Sequence, residues 1–202
     1  MFWNSVILVV PILIGQCLIA PMAAFGFENI RWRHKEKLYF LYLIVMLMPT
    51  QILLVPNFIV AGWLNIQDSY LAIILPALFH PFGVFLIRQQ LKGFPRECTE
   101  AAALDGAGAW QIYRQVVHPN LKSVMAAMVV LLFVDNWNIV DQAVVFIEDL
   151  YRQPLSVYLG STTSNLHGMF FAASVIYMIP AVLIFLLGQD GLAKGISLSN
   201  LK

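Results

Sequence analysis

Long uncharged runs alternate with short polar joints along this chain. Residues 2–27, 38–60, 69–87 and 167–188 contain no Asp, Glu, Lys or Arg, and a fifth stretch, Ser123 to Ile147, is interrupted only by Asp135 and Asp141. Each run reaches the roughly 18–20 residues that a helix needs to cross about 30 Å of hydrocarbon at about 1.5 Å per residue. The pattern predicts five membrane-spanning helices, over about 3–25, 38–60, 69–88, 121–146 and 167–188. Barrel strands would show segments of about ten residues with alternating polarity, whereas these runs are continuously apolar. The first run lacks the basic flank of a secretory signal and outruns an h-region of about 7–15 residues, so it is read as part of the mature fold. The expectation is an all-α polytopic membrane protein forming a single transmembrane domain over 1–202.

Composition agrees with that reading. Of 202 residues, 60% are hydrophobic and 11% charged, whereas a soluble domain carries about a quarter charged residues. Lipid has to be part of the solvent. Eleven of the twelve Lys and Arg fall on one side of the predicted bundle: Arg31, Arg33, Lys35 and Lys37, then Arg88, Lys92, Arg96, Arg114 and Lys122, then Lys194 and Lys202 in the tail. The opposite joints, 61–68 and 148–166, hold only Arg152. Basic residues mark the cytoplasmic side, which puts the N-terminus outside, the C-terminus inside and the 92–119 loop in the cytoplasm. No basic tract points to nucleic acid. Prolines at 11, 21, 49, 56, 76, 81 and 180 fall in the helices, where they bend a span or reflect their ordinary frequency in membrane helices.

The joint from Gly93 to Pro119 carries the most information. Pro95 suits a helix start, Glu97 and Glu100 favour the positive end of the helix dipole, and Ala101, Ala102, Ala103 and Leu104 are strong helix formers. Gly106 and Gly108 stop that helix. A second one, Ala109 to His118, sets Trp110, Tyr113, Val116 and Val117 along one side before Pro119 ends it. An alanine-faced helix flanked by Glu97, Glu100 and Asp105 suits a groove on a partner protein. The same spacing also fits an amphipathic connector lying on the membrane surface.

In this loop the chain resembles the inner-membrane permease subunits of binding-protein-dependent ABC importers. Their signature reads EAA, three residues, Gly, nine residues, then Ile-x-Leu-Pro, and Glu100, Ala101, Ala102, Gly106 and Pro119 stand in that register, with Val116 and His118 in place of Ile and Leu. The stretches Leu104 to Gly108, Ile74 to Gln90, Asn136 to Asn138 and Pro180 to Gly195 are similar to the carbohydrate-uptake branch, close to the second permease of maltose-type systems. Asp190 follows Gln189 where that branch commonly has a basic residue. The resemblance implies the ABC importer permease fold with the first family helix missing, and a bacterial or archaeal plasma membrane location. It also implies a second permease subunit, cytoplasmic ATP-binding subunits and an extracytoplasmic solute-binding protein as partners, with the loop coupling to the ATPase. Glu100 would make the key polar contact and Gly106 would permit the turn. No G-x-x-x-x-G-K-[ST] motif occurs in the chain, so ATP hydrolysis is expected in another subunit.

Carboxylates in a membrane span normally face a bundle interior or a watery cavity. Asp135, Asn138, Asp141 and Gln142 fall at helical steps of three and four, and from Leu121 Asp135 lies about 21 Å along and Asp141 about 30 Å. They are candidates for a hydrophilic translocation path, with Trp137 offering a ring face to a sugar. Alternatively, Asp141 and Gln142 mark the interface and Asp135 pairs with a partner subunit. His80 reads as a helix–helix hydrogen bond, His34 and His118 as solvated, and Cys17 and Cys98 as free thiols. No spacing suggests a metal site, a cofactor or a catalytic nucleophile. The leading expectation is therefore a permease subunit for a sugar or polyol. The alternatives are a permease for another solute, or a membrane scaffold or enzyme that recruits a soluble partner through 93–119.

Overall fold

The computed structural model describes residues 1–161 and 167–197. Lys202 and the side chain of Lys194, counted in the charge asymmetry, lie outside what is described. The described residues form helices and connecting turns without strands: α1 (Phe2–Asn29), α2 (Lys35–Leu47), α3 (Thr50–Trp63), α4 (Leu71–Leu78), α5 (Pro81–Lys92), α6 (Arg96–Leu104), α7 (Ala109–Gln111), α8 (Lys122–Trp137), α9 (Asp141–Phe146), α10 (Leu155–Ser161) and α11 (His167–Ser197). Among them, four stretches are long and apolar enough to cross a membrane: Phe2–Asn29, Leu71–Lys92, Ala109–Trp137 and Phe170–Gln189. α2 and α3 are apolar enough only when taken together, and a bend of 108° at Met48 and Pro49 separates them. Pro49 adopts an extended ψ of 139° ahead of α3, and it has no N–H with which to continue α2.

Three other stretches depart from the sequence pattern. The run expected as one helix over 69–88 is interrupted at Phe79 and His80, ahead of Pro81, giving α4 and α5. The run expected as one helix over 121–146 is divided at 138–140 into α8 and α9. The side-chain amides of Asn136 and Asn138 donate to the carbonyls of Leu132 and Val134, at 2.8 and 2.7 Å, and so compete with the backbone at the helix end. The helix expected to stop at Pro119 instead continues from α7 through a π-helical turn (Ile112–Val117) and a 3₁₀ turn (His118–Leu121) into α8. These changes of register accommodate the proline, and Asn120 Nδ2 donates to the Val116 carbonyl beside it.

Packing groups the chain into two compact units. The first comprises Met1–Gly15, Met48–Phe79 and Val130–Leu187. Its main core joins Leu8 and Ile12 of α1, Ala61 of α3, Ala72 to Ile74 of α4, and Ala143 and Phe146 of α9. A second cluster sets Val9, Phe133 and Trp137 against Tyr177, Ala181 and Ile184 of α11. Hydrogen bonds staple the 148–161 segment to this unit. Asn4 Nδ2 donates to the carbonyls of Tyr151 and Gln153, the Leu155 N–H donates to Ser5 Oγ, and the Tyr70 hydroxyl donates to the Arg152 carbonyl.

The second unit comprises Gln16–Leu47, His80–Val129 and the chain from Gly188. Its helices approach closely at small residues, as membrane helices do when van der Waals contact drives their association. A Cβ on Gly83 would stand 2.7 Å from Gln16 Oε1, 3.0 Å from Met128 Sδ and 3.1 Å from the Ala20 Cβ. The Gln16 amide also donates to the His80 carbonyl, at 3.3 Å, ahead of α5.

Candidate functional site

The loop between α5 and α8 is built on α6. Pro95 caps its start with an extended ψ of 122°, and Glu97 lies in its first turn, where a negative charge opposes the helix dipole favourably. At the other end the N–H of Ala107 donates to the Ala102 carbonyl and that of Gly106 to the Ala103 carbonyl, at 3.0 and 3.1 Å. This pair of bonds closes a helix through a left-handed residue, and Gly106 has φ +84°. The Gly108 N–H then donates to Gln111 Oε1 at 2.9 Å and starts α7.

The return segment of the loop is anchored, whereas α6 is not. Tyr113, Val117 and Leu121 are buried, and the Tyr113 ring lies 5.4 Å from that of Phe25. No residue of α6 is buried. Glu97, Glu100, Ala101, Ala103, Asp105 and Gly106 are exposed, Ala102 is half-buried, and Leu104 at the tip is 90% exposed. Among the described residues no ion pair engages Glu97, Glu100 or Asp105. Beneath α6 lies an open cleft of about 570 Å³ whose lining includes Phe94, Pro95, Cys98, Gln115 and Asn120. Pro119 is exposed within the 3₁₀ turn, at the root of the loop rather than at its tip. The loop therefore presents a rigid acidic knob with small side chains, a surface that a protein groove could enclose.

The inner attachment of this knob is not anticipated from the sequence. Arg88, 3% exposed, donates from Nε to Glu28 Oε2 at 3.1 Å and from Nη2 to Glu36 Oε1 at 2.7 Å. Its guanidinium lies 3.8 Å from the centre of the buried Tyr39 ring. The signal available in the sequence is a lone arginine ending an uncharged run, with carboxylates ending one run and opening another.

The second candidate set lies in the first unit, and its members do not share one helix face as their spacing implies. Asp135 is exposed on α8, Asn138 lies beyond the end of α8, and Asp141 opens α9. Asp141 Oδ2 accepts from Gln51 Nε2 at 2.9 Å, and Asn138 Oδ1 stands 2.9 Å from the Tyr177 hydroxyl. Trp137 is 2% exposed, stacked between Phe133 and Tyr177, with its Nε1 donating to the Tyr177 carbonyl. Within this chain its ring is covered by those neighbours. Gln51 and Tyr177 are the polar neighbours that sequence spacing does not bring to this set. Cys17 and Cys98 are both free, the latter exposed.

A family model described as the binding-protein-dependent transport system inner membrane component matches residues 1–197. The chain belongs to this family. It is a multi-pass inner-membrane permease component and not itself a catalytic subunit. It is 28% identical to the lactose transport system permease protein LacG of Rhizobium radiobacter, over 96% of this chain and 72% of that protein. It is 26% identical to the arabinooligosaccharides transport system permease protein AraQ of Bacillus subtilis (strain 168), over 100% and 73%. To the sn-glycerol-3-phosphate transport system permease protein UgpE of Salmonella typhimurium (strain LT2) it is 28% identical, over 96% and 73%. The same fold occurs in a bacterial ABC transporter involved in the import of the acidic polysaccharide alginate, with a TM-score of 0.81 at 21% identity over 94% of this chain and 73% of the other.

Proposed function

We propose that this chain is the permease subunit of an ATP-driven importer for a sugar or related polyol, and that α6 with its glycine closure docks into a separate cytoplasmic ATPase. The observation that carries the docking role is the contrast within one loop. Its return segment is pinned by buried Tyr113, Val117 and Leu121, while α6 buries nothing and holds three carboxylates unengaged among the described residues. A helix that stays in water along its length, yet ends in a fixed glycine closure, is shaped for a partner. Glu100 makes the polar contact, Ala101 and Ala102 allow the close approach, and Gly106 fixes the angle at which the knob stands.

The solute class rests on relatives whose names carry lactose, arabinooligosaccharides and glycerol phosphate, all hydroxyl-rich. Asp135, Asn138 and Asp141, with Gln51 and Tyr177, supply hydrogen-bonding groups of the kind hydroxyls need, and they form the proposed translocation path. A second permease subunit, ATP-binding subunits and an extracytoplasmic solute-binding protein complete the importer. The 92–119 loop and the C-terminus face the cytoplasm and Met1 faces outward.

The test is uptake of labelled sugar by cells or vesicles carrying Glu100→Lys or Gly106→Asp. Both variants are expected to insert in the membrane at normal levels and to lose ATP-driven uptake. Normal uptake by both would remove the docking role. Failure to co-purify with a P-loop ATPase would favour a scaffold that recruits some other protein. Screening labelled sugars and polyols against the cognate binding protein identifies the solute.

A further inference from the structure

The knob has to move something when its partner moves, and the second unit contains a polar connection between α6 and the helices behind it. Glu28 near the end of α1 receives Arg88 on Oε2 and Arg96, the first residue of α6, at 3.8 Å from Oε1. Arg88 also holds Glu36 at the start of α2. The link from α5 to α6 is itself stiff: the N–H of Gly93 donates to the Gln90 carbonyl and that of Phe94 to the Leu91 carbonyl, both at 3.1 Å. We infer that Arg88 is a positioning residue, the joint through which displacement of α6 is passed to α1 and α2 by way of Glu28 and Glu36. This rests on the reading of α6 as the docking helix.

The chemistry favours Arg88 over Arg96 as the carrier. Arg88 is buried against Glu28 and the Tyr39 ring and reaches out to the exposed Glu36, whereas the side chain of Arg96 is 80% exposed and its pair is weakened by water. A guanidinium spans two acceptors with fixed geometry, which an ammonium cannot do. Arg88→Lys keeps the charge and gives up the rigid fork, so it separates a mechanical role from a purely electrostatic one.

The experiment uses the assembled importer in proteoliposomes and reads solute transported per ATP hydrolysed. With Arg88→Lys this ratio should fall about tenfold while ATPase activity stays near wild type, because the charge remains but the planar fork that fixes the two carboxylates relative to each other is gone. Glu36→Gln, at the exposed end of the bridge, should lower it about threefold. A ratio unchanged in both variants overturns the inference, as does a proportional loss of uptake and hydrolysis in the complex that does assemble. If Arg88→Lys fails to assemble, the ratio for Glu36→Gln decides. Glu100→Lys is measured alongside: normal uptake there removes the docking helix, whereas lost uptake there with unchanged ratios for Arg88→Lys and Glu36→Gln removes only the joint.

Discussion

Two glycines do opposite work in the second unit. At Gly106 an added Cβ would meet open space, and what a side chain would oppose is the backbone, at φ +84°. A left-handed conformation costs an ordinary residue about 1–2 kcal/mol. At Gly83 the backbone is helical and the obstacle is the neighbours, with atoms of Gln16, Met128 and Ala20 all within 3.1 Å of where a methyl would stand. Gly83→Leu should therefore overpack the crossing of α1, α5 and α8 and cost about 1–3 kcal/mol, read as a lower unfolding midpoint of the purified protein in detergent. An unchanged midpoint would mean the crossing relaxes freely. Gly106 is legible in the sequence because a glycine after an alanine helix announces its own turn. Gly83 is not, since what a helical glycine faces is decided by other helices. Trp137 is obscured for the same reason: its place beside Asn138 gives no sign that Phe133 and Tyr177 sandwich it.

Helices in this chain are countable from uncharged runs, but their continuity is not. Run length reports how much lipid a segment can face, and it is blind to a break at Pro49 or to side-chain amides that intercept carbonyls at 132 and 134. Conversely, the closure of α6 is local, and propensity plus a glycine locates it within a residue. The connections outside the helices are beyond reach, since they join residues far apart in sequence. Asp68 shows this: it has φ +48°, its carboxylate accepts the Glu148 N–H at 3.1 Å and the Arg152 guanidinium at 3.0 Å, and it holds the start of the 148–161 segment. The ion pair is exposed and contributes no more than about 1 kcal/mol, so the backbone acceptor matters as much. Asp68→Ala should speed trypsin cleavage after Arg152, while Asp68→Asn, which keeps an acceptor for the Glu148 N–H, should cleave near the wild-type rate. Equal rates for all three proteins would show that the segment is held by its other bonds alone.

At the scale of the molecule, the proposed orientation, with the acidic knob in the cytoplasm, is one that an exposed thiol can report. Cys98 sits in the first turn of α6, exposed and bordering the open cleft, whereas Cys17 lies within the apolar run of α1 and is only half-exposed. With Cys17→Ala as background, a membrane-impermeant maleimide should label Cys98 in inside-out vesicles and leave it untouched in right-side-out ones. That outcome is expected of the proposed topology, in which eleven of the twelve Lys and Arg fall on the cytoplasmic side. Labelling from the outer face would reverse the topology and take the ATPase docking role with it. Assembly adds a second reading of the same thiol. Since α6 buries nothing in the isolated chain, its exposure is available to be lost, and a groove that receives Ala101 will also cover Cys98, three residues earlier on the same face. Cys98 should therefore react several-fold more slowly in the complete importer than in the permease alone, and removal of the ATPase should restore the faster rate. Equal reactivity in both would place the ATPase elsewhere on the surface.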